Sequence, residues 1–106
     1  MGFSLLGEKL ADYARSEAKR TSSEEVTLVH LLSSIRRWQE ESFDQKYPGL
    51  GDRVRAYLRE NHGSATKPPK MPEKVASRLE SVTDSDSAWS LADQLSRELK
   101  DLQIGR

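Results

Sequence analysis

The residues of this chain that could carry chemistry are few and widely separated. Its two histidines, His30 and His62, stand far apart in the sequence, and none of the 106 residues is a cysteine. A zinc site needs three or four histidine, cysteine or carboxylate ligands that converge on one ion. Neither histidine has a convincing carboxylate cluster beside it. The sequence therefore predicts no metal site and excludes disulfides.

Three pairs of acidic residues stand close together, at Glu24-Glu25, Glu40-Glu41 and Asp84/Asp86. Acid–base catalysis would require burial to drive the pKa values of the two carboxyls in a pair apart. All three pairs lie in polar stretches, so we expect them to form solvated faces and helix caps. The chain also lacks a glycine-rich phosphate loop. These features predict a domain that is not an enzyme and holds no cofactor.

A group of aromatic residues in the middle of the chain offers a binding function instead. Large aromatic side chains either close a hydrophobic core or anchor a protein interface, and the sequence leaves both roles open. The candidate protein-binding residues are Trp38, Phe43 and Tyr47, with Arg36 and Arg37 as polar neighbours and Trp89 on the same surface.

Helices must position these residues, because apolar side chains recur at intervals of three and four and no alternating pattern indicates a strand. The first predicted helix runs from Ser4, a suitable N-cap, to Thr21. The second begins after Thr27 as N-cap, or earlier, since Ser22 and Glu25 have the spacing of a capping box. Its inward residues would be Leu28, Leu31, Leu32 and Ile35.

Three further helices complete an all-α fold, predicted as a compact bundle of about five helices. They run from Gly51 to Glu60, from Pro72 onward, and from a cap at Asp84 or Ser85. Residues 1–62 would hold the first three helices, residues 63–70 a linker containing proline and glycine, and residues 71–106 two helices of the same domain. One core is expected to contain Leu10, Ala14, Leu31, Leu32, Ile35, Val54 and Leu58.

The composition excludes several classes of partner. The 17 basic and 17 acidic side chains cancel, whereas proteins that bind the phosphate backbone carry clustered positive charge. The arginines at 36–37 and at 53, 55 and 59 are interrupted by acidic residues, so nucleic-acid binding is not expected. No apolar run has the length of a membrane span or signal peptide. A cytoplasmic protein with no membrane partner is the default expectation.

The stretch Val26-Thr27-Leu28-Val29-His30-Leu31-Leu32 follows the first helix at a short distance. It resembles the hallmark of a Clp N-terminal repeat, which has the form hydrophobic, Thr or Gly, variable, Glu, His, Leu, Leu. Upstream, Phe3-Ser4 and the series Leu10, Ala14, Ala18 and Arg20 are similar to the start and first helix of that family. The resemblance covers residues 3 to about 83, and the last helix looks like the opening of a second repeat.

Two departures from the family pattern concern function. Some Clp-type domains use the hallmark Glu and an early Thr to recognise phosphorylated arginine, and here those positions hold Val29 and Ser4. Pairing with a guanidinium group requires a carboxylate, which valine lacks. Phosphoarginine recognition is therefore not expected. His30 is retained, and beside buried leucines we expect it to be a hydrogen-bonded structural residue.

The resemblance implies the N-terminal domain of a bacterial Clp or related AAA+ unfoldase. Such a domain is non-catalytic and binds substrate proteins or an adaptor, and the full-length ATPase would form a homo-oligomer. An alternative is an assembly or scaffold domain that self-associates through its last helix. The apolar stripe of that helix is Trp89, Ala92, Leu95, Leu99 and Leu102.

Overall fold

The computed structural model describes the backbone of residues 2–102 and the side chains of residues 2–100. Within these residues every named secondary-structure element is a helix, which confirms the predicted all-α class. No strand is formed there, and the backbone makes one isolated β-bridge. The six α-helices exceed the predicted five by one. They are α1 (Leu5–Arg20), α2 (Leu28–Trp38), α3 (Glu40–Lys46), α4 (Leu50–Glu60), α5 (Glu73–Glu80) and α6 (Ser85–Glu98), followed by a short 3₁₀ helix, Leu99–Leu102.

Side-chain caps determine where α1 and α2 begin. The Ser4 hydroxyl accepts a hydrogen bond from the Gly7 N–H at 3.0 Å and donates one to the Val82 carbonyl at 2.6 Å. Thr27 caps α2, as one of the two sequence alternatives predicted. The earlier start at Ser22 is wrong, because Ser22 has a φ of 53° and follows the end of α1. A residue in the left-handed region interrupts a helix instead of starting one.

Helix α3 is the element that the sequence did not predict. It has seven residues, and Phe43 is the one buried among them, so it carries no repeated apolar spacing that could mark it as a helix. Gly49 separates α3 from α4 with a φ of 81°. That left-handed conformation costs glycine little and places the chain at the start of α4.

A single hydrophobic core runs through the described helices. All seven residues predicted for the core belong to it, and each is at most 4% exposed. The small side chains of Ala14 and Ala18 are fully buried on α1, which allows α1 and α2 to pack closely. The later parts of the chain contribute Phe43, Val75, Leu79, Val82, Ala88, Leu91, Ala92, Leu95 and Leu99, of which Val82 lies between α5 and α6.

Residues 63–70, which we call the strap, are extended and fixed along the loop between α1 and α2. Three backbone N–H groups of the strap donate to that loop, and one loop N–H donates back. Glu25 and Lys70 form an isolated parallel β-bridge. The four hydrogen bonds are Gly63 N–H to Thr21 O at 2.9 Å, Ala65 N–H to Ser22 O at 2.9 Å, Lys70 N–H to Glu24 O at 3.0 Å and Val26 N–H to Lys70 O at 2.8 Å.

Helix α6 uses its apolar stripe inside the domain. Ala92, Leu95 and Leu99 are buried in the core, and Trp89 packs partly against it. The Leu102 side chain lies outside the described residues. These three buried side chains are not available to a second copy, so self-association through this helix would depend on the rest of the stripe and stays a prediction. Among the described helices, none combines the length and apolarity needed to cross a membrane.

Candidate functional site: an aromatic surface

Trp38 and Trp89, which the sequence assigned to one surface, lie in contact. Trp38 is the last residue of α2, and Trp89 lies in the second turn of α6. Their ring centroids are 5.6 Å apart and the rings are inclined by 38°, within the range of attractive aromatic pairs. Both side chains pack against the core and remain partly accessible. This pair is the centre of the candidate site.

A lysine from α3 extends the pair. The Lys46 Nζ atom lies 5.2 Å from the centroid of the Trp89 ring, a distance at which an ammonium group is attracted to the face of an indole. We refer to Trp38, Trp89 and Lys46 as the aromatic surface. Three helices supply one residue each, so the surface exists only in the folded domain.

Phe43 and Tyr47 have different positions, although both were predicted to bind a partner. Their ring centroids are 5.1 Å apart, but Phe43 is fully buried. The prediction that Phe43 contacts a partner needs correction, because this side chain has no accessible area. Tyr47 is partly buried. Burial, and then the nearby carboxylate of Asp93, raises the pKa of its hydroxyl.

The two arginines predicted to lie beside the aromatic residues, Arg36 and Arg37, contact different helices. The Arg36 guanidinium pairs with both oxygens of Asp44, at 2.9 and 3.1 Å, and lies 3.5 Å from a Glu40 oxygen. Hydrogen bonds from Arg36 hold the pKa of Asp44 below its ordinary range. Arg36 thus joins α2 to α3. Arg37 instead places its guanidinium carbon 4.7 Å from the centroid of the Tyr13 ring on α1.

A cavity lies at the opposite end of α2 from the aromatic surface. This cavity has a volume of about 220 Å³. Leu28, Tyr57 and Leu58 form part of its apolar wall, and Glu25 and Lys74 contribute one charge of each sign. Residues from α2, α4, α5 and the C-terminal segment meet here. No local sequence pattern could reveal such a convergence, and sequence reasoning missed it.

His30, near this cavity, has the structural role expected from the sequence. Its Nδ1 atom accepts a hydrogen bond from the Thr27 backbone N–H at 3.0 Å, and its Nε2 atom lies 3.0 Å from the Thr21 hydroxyl. Burial lowers the pKa of His30 to about 4; the negative charge of Glu17 opposes this shift and the positive charge of Arg20 adds to it. The ring is therefore neutral near pH 7.

The two positions that differ from the family pattern have defined surroundings. Val29 is 3% exposed and belongs to the core. The Ser4 hydroxyl is engaged with the Gly7 N–H and the Val82 carbonyl. Neither position presents a carboxylate that could pair with a guanidinium group.

The acidic pairs can now be placed individually. Asp84 is the N-cap of α6, and the Ser87 N–H donates to its carboxylate at 2.9 Å. That backbone hydrogen bond, followed by the Ser87 hydroxyl, lowers the pKa of Asp84. Glu40 lies beside Arg36, while Glu24 and Glu25 are exposed next to the strap. In the part of the chain that the structure describes, no three acidic or histidine side chains converge to hold a metal ion.

No protein-family model matches this chain, and no curated protein or solved structure is significantly similar to it.

Proposed function

We propose that this chain is a Clp N-terminal-like binding domain of a bacterial, cytoplasmic AAA+ protein-remodelling ATPase. It recognises substrate proteins or an adaptor and performs no chemistry itself. The aromatic surface is the binding site in this proposal. Any ATPase activity and homo-oligomerisation would belong to other parts of a larger protein.

The observation that carries the proposal is the hallmark-like stretch Val26–Leu32, together with the role of each residue in it. Thr27 caps α2 and His30 completes the capping box. Leu31 and Leu32 are fully buried. The stretch that resembles the Clp family thus forms the start of α2, and its two leucines pack in the core.

The aromatic surface supports a binding role for a separate reason. Tryptophan side chains provide a large contact area at low entropic cost, and tryptophan is enriched among the residues that dominate protein interfaces. The charge of Lys46 in the surface, and the ion pair of Asp93 with Arg97 on α6, would limit nonspecific association. An exposed apolar segment of a client could pack on the accessible parts of the two indole rings.

Binding can be measured by fluorescence anisotropy with labelled, reduced and carboxymethylated α-lactalbumin, a permanently unfolded client. We expect saturable binding to the wild-type domain. Trp38→Ala and Trp89→Ala should each weaken binding about tenfold, which corresponds to about 1.4 kcal/mol. Circular dichroism must first show that both variants retain the helical fold.

Tyr57→Ala is the matched control, because it removes a partly buried aromatic side chain from the cavity at the other end of α2. It should leave the affinity unchanged. Wild-type affinity in both folded tryptophan variants would show that the binding face lies elsewhere. Absence of saturable binding to the wild-type domain would contradict the proposed recognition of unfolded clients.

A further inference from the structure

His30 connects the two ends of the loop that joins α1 to α2. A backbone N–H can only donate, so the Nδ1 atom that faces the Thr27 N–H must be unprotonated. In the neutral ring the hydrogen is therefore on Nε2, which donates to the Thr21 hydroxyl. The Thr21 hydroxyl donates in turn to the carbonyls at the end of α1. This set of bonds requires an uncharged imidazole.

The loop held by His30 is also the one to which the strap is bound. Carbonyl groups of Thr21, Ser22 and Glu24 accept the strap's hydrogen bonds, and the Val26 N–H donates to Lys70. All four bonds lie between the two ends that His30 fixes. Their geometry therefore depends on the position of the loop, and the position of the loop depends on the imidazole.

A proton added to the Nδ1 atom of His30 would face the backbone N–H of Thr27, and both groups would then be hydrogen-bond donors. The protonated Nδ1 can no longer accept from the Thr27 N–H, although it could donate to the Thr27 hydroxyl 3.0 Å away, and the amide would lose its partner at a partly buried position. The charged ring would also be poorly solvated, since His30 is 2% exposed. Opening of the loop would relieve both costs by exposing the ring and the amide to water.

Charged groups around His30 have opposite effects on the protonation of its ring. From α1, the Glu17 carboxylate favours the protonated ring and Arg20 opposes it. Glu17 is itself hydrogen-bonded to Arg20 and Ser33, so its charge is partly compensated. The cavity that His30 helps to line also contains Glu25 and Lys74 of α5, one charge of each sign, and Tyr57 of α4. None of these groups is a dedicated buried counter-ion for an imidazolium.

We propose that His30 is an acid-sensitive latch, whose protonation releases the α1–α2 loop and with it the strap at residues 63–70. This inference is independent of the proposed binding function. The direction of the pH dependence follows from the linkage between proton binding and folding. Because the pKa of His30 is lowered from 6.5 to about 4 on folding, the latch contributes its full stability above pH 6.5 and loses it as the pH falls towards 4.

Amide hydrogen exchange measured by NMR, corrected for intrinsic rates at each pH, tests the latch in the whole chain. Between pH 7 and pH 5 we expect protection at the Val26, Gly63, Ala65 and Lys70 amides to fall on the order of tenfold. Amides in the middle of α6 should keep their protection. Equal protection at the four amides at both pH values, or an equal loss in α6, would overturn the proposal.

Two variants identify the group that binds the proton. His30→Gln keeps a hydrogen-bonding side chain at the third position of α2 but does not titrate, so protection at the four amides should no longer depend on pH. A folded His30→Gln variant with wild-type pH dependence would contradict the latch. His62→Gln, which removes the other histidine beside the strap, should retain that dependence.

The His62→Gln variant also gives a test that does not require His30→Gln to fold. His30 is then the one remaining histidine. Between pH 6 and pH 5, the logarithm of protection at the four amides should change by about one per pH unit, the slope for uptake of one proton on opening. A slope near zero would overturn the assignment to His30.

Discussion

The Arg36 side chain on α2 lies directly over Gly51 on α4. A Cβ atom at position 51 would overlap the Nε and Cδ atoms of Arg36. The same guanidinium pairs with Asp44 of α3, so one side chain connects three helices. The absence of a side chain at position 51 allows this arrangement, and it provides a first prediction.

Gly51→Ala should stabilise the domain only when Arg36 is absent. In a helix, alanine is favoured over glycine by up to about 1 kcal/mol. In the wild-type background, displacement of Arg36 from Asp44 should cancel most of that gain, because a partly exposed ion pair contributes about 0.2 to 1 kcal/mol. Urea denaturation of Gly51→Ala, Arg36→Ala and the double variant measures the coupling. Additive effects would contradict the contact.

Leu32→Ala should lower the free energy of unfolding by about 2 to 5 kcal/mol, because it leaves a cavity at a fully buried site. Leu5→Ala is the matched control. Leu5 is 91% exposed, and its truncation should change stability by less than about 0.5 kcal/mol. Chemical denaturation gives both values. Equal losses in the two variants would show that the core has been misassigned.

Thr27→Ala should destabilise the domain by about 1 kcal/mol, since it removes the hydroxyl that caps α2. Ser22→Ala, at the other start position compatible with the sequence, should cost less than about 0.5 kcal/mol. Thermal unfolding of both variants distinguishes the two helix starts. A larger loss for Ser22→Ala would indicate that residues 22–27 help to form α2 in solution.

Phosphoarginine should show no measurable binding at millimolar concentration. Val29 is buried and supplies no carboxylate for the guanidinium group, and the Ser4 hydroxyl already caps α1. Isothermal titration calorimetry with the free amino acid provides the measurement, with free arginine as the reference ligand. Saturable heat specific to phosphoarginine would refute this prediction.

Helices α1, α2 and α6 could be predicted from the sequence because each combines an apolar stripe with a capping residue. Ser4, Thr27 and Asp84 all cap the helices expected of them. Helix α3 could not be predicted in this way, since its position depends on the tertiary contacts of Phe43 and on the ion pairs of Arg36. Local periodicity contains no information about either.

The candidate site was predictable only in part, for a similar reason. The sequence identifies Trp38 and Trp89 as large aromatic residues, but their contact and the position of Lys46 depend on how α2, α3 and α6 meet. The complete burial of Phe43 likewise follows from packing between helices. Trp38 and Phe43 both lie shortly before the turn at Gly49, and the sequence alone cannot show that Trp38 stays accessible while Phe43 is buried.

The strap has a consequence for how this chain can be divided experimentally. Its composition, with one glycine and two prolines, is that of an extended linker, and such a segment would ordinarily be chosen as the place to cut between two fragments. Here, however, a cut would remove backbone partners of the α1–α2 loop. A fragment that ends at Asn61 would also leave the core without Val75, Leu79 and Leu95. Although the segment resembles a boundary in sequence, residues on both sides of the strap share one hydrophobic core, and we expect proteolysis there to require the domain to open first.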